Sequence, residues 1–161
     1  MTPLDLKTEK EWEEILDRCA KEANMTACLT DGDGKLLFCR MDRFPLCKAI
    51  RENQGALTTI CMKTNTAMRS VVGKTRRPEI DMCEAGLLRL VVPIFNGREL
   101  LGQIAACGLT SKEDEIEDFL VAKELGVTEE EVAEMAQASP FGVREELEKL
   151  GARLFEVIHA G

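Results

Sequence analysis

The chain has 161 residues, 45% hydrophobic and 31% charged, and a formal net charge of −8. That length is one domain by the usual prior and enough to bury a core, while the acidic balance argues against an electrostatic grip on DNA, RNA or anionic lipid. No apolar run approaches the ~20 residues of a membrane helix, and the polar start MTPLDLKTEKEWEE carries no secretory signal, so a cytoplasmic domain in contact with neither nucleic acid nor membrane is expected.

Seven cysteines are the unusual number. Without export a disulfide framework is not expected, and the count is odd. The thiols are then either small buried hydrophobes or ligands and nucleophiles.

Thr8 with Glu11 reads as a capping box, followed by Trp12, Ile15, Leu16, Cys19, Ala20 and Ala23 at helical spacing. Cys19 lies on that stripe and reads as core. Met25–Leu29 and Leu36–Arg40 read as two strands joined around Asp31-Gly32-Asp33-Gly34. The acidic turn lacks the third acidic ligand of a calcium loop, since Lys35 stands there. Cys28 and Cys39 read as plain strand residues. Phe44–Arg51 predicts a short helix opening near Pro45, and a second helix is expected from about Thr59 to Val72. Cys61 would fall in its first turn, where a helix N-terminus favours a thiolate. Gly73-Lys74-Thr75 resembles the end of a phosphate loop, but Met68 occupies the required upstream glycine. Lys74, Arg76 and Arg77 read as a solvated loop.

Leu87–Phe95 and Leu100–Ala106 predict a hairpin around Asn96-Gly97, with Pro93 arguing for an edge or bulge. Cys83 and Cys107 flank its open end. A two-residue loop would put them on opposite faces. A three-residue loop including Arg98 would set Phe95 opposite Glu99, and this register gives the cleaner core. Leu88, Leu90, Val92, Ile94, Leu100, Gly102, Ile104 and Ala106 then share one face, and Cys83, Arg89, Phe95, Gln103 and Cys107 the other.

Ser111 with Asp114 predicts a helix carrying Ile116, Phe119, Leu120 and Leu125, ended by Gly126. Thr128 with Glu131 caps a shorter one, and Ser139-Pro140 opens the last, with Val143, Leu147, Leu150, Leu154 and Val157 or Ile158 on a stripe. That stripe packs on the domain or forms a homodimer seam. The order implies an α+β domain with a small antiparallel sheet, whose second face, mixed in polarity, is free to line a pocket.

FPLCKAIR, Cys61, CEAGL and VPIFNGRELLGQI together resemble the PocR sensory domain, a relative of PAS and GAF sensors, over about Trp12 to Ile158. Cys47, Cys61, Cys83, Ala85, Gly86, Leu87, Val92, Pro93, Ile94, Gly97, Leu101 and Gly102 match the family pattern in order. Thr58 replaces the first cysteine of a Cys-x-x-Cys pair, and Glu84 replaces a histidine, so the family's fourth thiol is missing. Cys107 stands where it would restore a set of four. The resemblance implies a single sensory domain spanning residues 1–161, PAS/GAF-like, with a small central antiparallel sheet flanked by helices. The chain leaves no room for an output domain, so a free-standing sensor or an excised piece is expected, with a second copy or a signalling output protein as partner.

The first functional expectation is a sensor of redox state or of a small ligand, with an iron–sulfur cluster or zinc held by Cys47, Cys61, Cys83 and Cys107. These are separated by 13, 21 and 23 residues, so only the tertiary fold can bring them together. The alternative is a metal-free sensor of a small organic molecule in a thiol-lined pocket. Phe44, Met68, Glu84, Arg89 and Phe95 are the ligand-binding candidates. Catalysis is not expected: the sole histidine, His159, sits near the C-terminus, there is no tyrosine, and no dinucleotide fingerprint is present.

Overall fold

The computed structural model describes residues 1–40, 44–112 and 114–160. Helix α1 (Pro3–Leu6) leads into α2 (Glu9–Ala23), where the Thr8 hydroxyl accepts the Glu11 N–H as the sequence predicts. Strands β1 (Thr26–Asp31) and β2 (Leu36–Arg40) follow. Asp31 closes their turn by accepting the N–H groups of Asp33 and Lys35, which is the plain turn expected there. Helix α3 (Pro45–Glu52) precedes a longer rod made of α4 (Gln54–Ala56), a π segment (Leu57–Met62) and α5 (Lys63–Thr75). Strands β3 (Glu79–Met82), β4 (Leu88–Asn96) and β5 (Glu99–Leu109) and helices α6 (Asp118–Leu125), α7 (Glu129–Ala136) and α8 (Arg144–His159) complete the chain.

The strands form one antiparallel sheet in the order β2-β1-β5-β4-β3. The domain is therefore α+β with a PAS/GAF-like arrangement. β3 has no counterpart in the sequence reading: EIDM is short and half acidic, so neither β-propensity nor an apolar face announces it.

One sheet face meets α2 and α8. Trp12, Leu16 and Cys19 from α2, and Leu147, Leu150, Leu154 and Ile158 from α8, bury against Leu90, Val92, Ile94, Leu101, Ile104 and Ala106. The buried Trp12 indole N–H donates to the Pro3 carbonyl at 2.7 Å. The α8 stripe is thus consumed by the chain's own core, as packing on the domain requires.

The central hairpin corrects the expected register. Its loop is Gly97-Arg98, with Asn96 opposite Glu99 and Phe95 opposite Leu100. Gly97 takes φ 60 at the first loop position, a feature of the II′ turns that match strand twist. A bulge between Ile94 and Phe95 then sets Ile94 opposite Gly102 and Val92 opposite Ile104. Beyond the bulge the pairing has slipped two residues from the expected one. Because the side-chain period is two, the faces survive: Arg89, Gln103 and Cys107 share the second face, while Leu101 replaces Leu100 in the core.

Two helix starts also move. α6 begins at Asp118 and buries Val121 and Ala122, leaving Phe119 exposed, and α8 begins at Arg144. Cys28 and Cys39, read as plain strand residues, stand opposite each other on β1 and β2 and are joined by a disulfide. The strand register, invisible in the spacing, makes that pairing.

Candidate functional site

The second sheet face is built from alternate residues of four strands. Thr26, Cys28 and Thr30 of β1 lie opposite Cys107, Ala105 and Gln103 of β5, which lie opposite Arg89, Val91 and Pro93 of β4. Cys39 of β2 extends one of these rows. Helices α3 and α5 meet this face, and polar side chains on it are buried: Thr26, Thr30, Arg89 and Gln103 are 0%, 7%, 6% and 1% exposed. Beneath α5 the floor is apolar, where Met68 and Val72 pack on Val91 and Ala105.

At one end of the face the four candidate thiols gather. Cys47, from α3, packs with Cys61, Cys83, Phe44, Ala85 and Leu87. Burial pushes the Cys47 thiol well up, and Cys107, Cys83 and Cys61 all add to that shift while Arg51 opposes it, so all four lie within electrostatic range of one another. Cys61 is likewise raised to about 11, chiefly by burial, with Cys107 and Cys83 contributing and Arg89 and Arg51 opposing. Burial raises Cys83 too, against the Leu87 and Ala85 backbone amides that hydrogen-bond its sulfur. These raised values and the rod's geometry overturn the helix-terminus argument for Cys61. The Asn53 side chain caps the helix start by accepting the Ala56 N–H, and Cys61 lies inside the π segment, well past the first turn. Such π segments often mark functional sites.

Gly108 makes the gathering possible. It is the extra residue of a bulge between Leu88 and Arg89, at φ 113, and a Cβ there would stand 2.8 Å from the Phe44 ring and 3.7 Å from the Cys47 sulfur. Phe44 therefore sits at the thiol end, and Met68 lies on the apolar floor. Glu84 stands at the rim, 3.8 Å from Lys63, with its backbone N–H donated to the Thr64 hydroxyl. Arg89 crosses the face and donates from Nη2 to the Asn65 side-chain oxygen. Phe95 does not join them. It lies six residues along β4 from Arg89, about 20 Å at the rise of a strand. There the Arg76 guanidinium covers its ring at 4.0 Å and His159 Nε2 accepts its backbone N–H.

Sequence reasoning missed Thr30, Arg51, Asn65, Arg69 and the Cys28–Cys39 pair as members of this face. Arg51 donates to the Cys39 sulfur at 3.4 Å. The signal for such residues is a lone polar side chain at an inward position of an apolar strand, as at Arg89 in LLRLVV and Gln103 in LLGQIAA. For those contributed by helices no signal precedes the tertiary structure.

The four thiols suit a soft metal ion by chemistry. Among the described residues, however, no group of three or more His, Cys, Asp or Glu is arranged to hold one. The described surface clefts lie elsewhere, including those against α8 lined by Leu109, Phe141 and Leu150 and by Pro78, Leu90 and Ala152. No described helix is long and apolar enough to cross a membrane.

In structure, the chain is similar to the C-terminal domain of a protein described as a transcriptional regulator from Vibrio cholerae, at 12% identity and a TM-score of 0.41, covering 81% of this chain and 95% of that one. No curated protein matches in sequence. A family model described as "Sensory domain found in PocR" matches residues 5–160, and the chain belongs to that family of sensory domains.

Proposed function

We propose that this sensory domain binds a small organic molecule between the second sheet face and α3–α5. One observation carries the reading. Thr30 Oγ1, Arg69 Nε, Arg89 Nε and Gln103 Oε1 are buried without a hydrogen-bond partner. Thr30 and Gln103 share a row of the second face, Arg89 stands further along it, and Arg69 reaches over from α5. A buried polar group left unpaired costs about 1–3 kcal/mol, so several on one face favour a site that a ligand completes. The role is binding rather than catalysis: His159 is engaged structurally, accepting at Nε2 from Phe95 and donating from Nδ1 to the Phe155 carbonyl at 2.7 Å. Its cytoplasmic setting and its coupling to a separate output protein, or to a second copy of itself, belong to the same proposal.

The test uses Thr30→Val and Gln103→Leu in ligand-free protein. Each removes an unpaired polar atom, so each should hold or raise stability in urea unfolding read from Trp12. Destabilisation by both would show that these groups already have structural partners and would overturn the reading.

A second reading has a specific support. The Ala85 and Leu87 amides aimed at the Cys83 sulfur are the hydrogen bonds that a ligating thiolate uses. Zinc or an iron–sulfur cluster on Cys47, Cys61, Cys83 and Cys107 would require those side chains to close further than they stand. Metal and sulfide analysis of anaerobically purified protein decides: a metal retained by the wild type and lost from the Cys47→Ser, Cys61→Ser, Cys83→Ser triple variant supports it, and metal-free wild type removes it.

A further inference from the structure

The charges over the second face narrow the ligand class. We infer that the ligand is a small hydroxylated molecule bearing an oxyanion, a carboxylate or a phosphate, received by Arg69, with Arg89 adding positive charge from further along the face. This rests on the small-molecule reading above and adds the ligand's chemistry to it.

Arg69 comes from α5, one helical turn beyond Asn65, and its guanidinium carbon lies 2.9 Å from where a Cβ on Gly34 would stand. That places its head at the β1–β2 turn, at the end of the face that Thr30 occupies. Arg89 comes from β4, 94% buried, and is tied by Nη2 to Asn65. Both Nε donors are buried and unpartnered.

No ion pair among the described residues involves either arginine, although Asp31 and Asp33 stand in the turn that the Arg69 head reaches. Asp31 holds the turn amides, Glu79 pairs with Arg77 at 3.1 Å, Asp81 accepts the Met82 N–H and Glu84 pairs with Lys63. Helix α5, KTNTAMRSVVGKT, carries no acid at all. Two guanidiniums over one face, neither ion-paired by the chain among the described residues, favour an oxyanion from outside, met at Arg69 in forked, charge-assisted hydrogen bonds.

Gln103 Oε1 adds the second requirement. It is an acceptor, so the ligand must bring a donor to it, and the Thr30 hydroxyl in the same row can serve the same group in either sense. Further along the face Met68 and Val72 pack on Val91 and Ala105, so the space beside Thr30 and Gln103 is bounded by an apolar contact.

Three probes with one three-carbon skeleton separate the possibilities: glycerol, glycerate and glycerol 3-phosphate, titrated calorimetrically into the whole chain. The expected result is binding of at least one anion about tenfold or more tighter than glycerol, weakened by added salt. That preference should be lost in Arg69→Gln and partly restored in Arg69→Lys. Arg69 is only partly buried, so these variants should fold, with Trp12 fluorescence as the check. Whichever anion binds more tightly identifies the oxyanion. Glycerol binding as tightly as both anions, with Arg69→Gln unchanged, would overturn the inference and leave the small-molecule reading standing. No binding by any probe would also overturn it, while the Thr30 and Gln103 stability test judges the site itself.

Discussion

Cys28 and Cys39 face each other across β1 and β2, their Cα atoms 4.1 Å apart, on the same sheet face as Gln103 and Arg89. The disulfide ties the edge strand to its neighbour beside Arg51, so the edge of the proposed site is covalently fixed. Thiol titration of unfolded protein should give five free thiols before reduction and seven after. Reduction should cost about 2–3 kcal/mol for so short a loop, read from urea unfolding. Seven thiols from an oxidatively handled preparation would remove the cross-link.

The buried thiols make the domain sensitive to alkali. Cys61 is raised from 9.0 to about 11 and Cys19 from 9.0 to about 12, chiefly by burial. Below pH 9 the folded and unfolded chains both hold these protons, and the stabilisation is fully present. Above it the unfolded chain releases them first, so stability falls with rising pH, by about 1.4 kcal/mol per pH unit for each such thiol. Cys61→Ser should flatten the slope between pH 9 and 11 by one proton's worth, whatever its effect on stability at pH 7. An unchanged slope would mean that Cys61 ionises normally.

Gly108 admits no side chain. Gly108→Ala forces a methyl against the Phe44 ring at a φ of 113, and the combined strain and overpacking should cost about 2–4 kcal/mol. The variant should also expose the thiols, measured as faster alkylation of Cys47. A loss below about 1 kcal/mol would show that Phe44 can move aside cheaply.

Helix α8 should behave as core. Leu150→Ala should cost about 2–5 kcal/mol while leaving the sedimentation coefficient unchanged, because Leu150 packs within the chain. A shift in sedimentation with little change in stability would assign that stripe to a second copy.

The fold was legible where periodicity and capping coincide. Thr8 with its stripe of Trp12, Leu16 and Cys19, and Thr128 before α7, came through nearly intact. The hairpin shows a subtler case: beyond the Ile94–Phe95 bulge its faces were read correctly with a register two residues off, since parity protects the face assignment but not the pairing, while at the tip Leu101 takes the core place expected of Leu100. The site was half legible. Arg89 and Gln103 stand out as polar residues in apolar strands, whereas Arg69 sits on a helix whose inward side is fixed only by docking on the sheet. The local rules for Cys61 misled because the helix start lies upstream at Gln54, under an Asn53 cap, and a π segment has no sequence signature of its own.

The rod from Gln54 to Thr75 is about 30 Å long and is anchored at two points along its length. At one anchor, near the middle of the rod, Cys61 and Thr64 meet the mouth of the hairpin. At the other, Arg76 caps the rod with φ 58 and donates to the Gly97 carbonyl at 2.6 Å and the Arg98 carbonyl at 3.3 Å, gripping the hairpin's tip. Phe95 beneath Arg76 is bonded in turn to His159, the last residue of α8. A strut fixed to both ends of the same hairpin cannot slide along its axis without bending β4 and β5 or releasing one anchor. Any displacement begun among the thiols therefore has a short mechanical route to the final turn of α8, running along the outside of the sheet and bypassing the packed core.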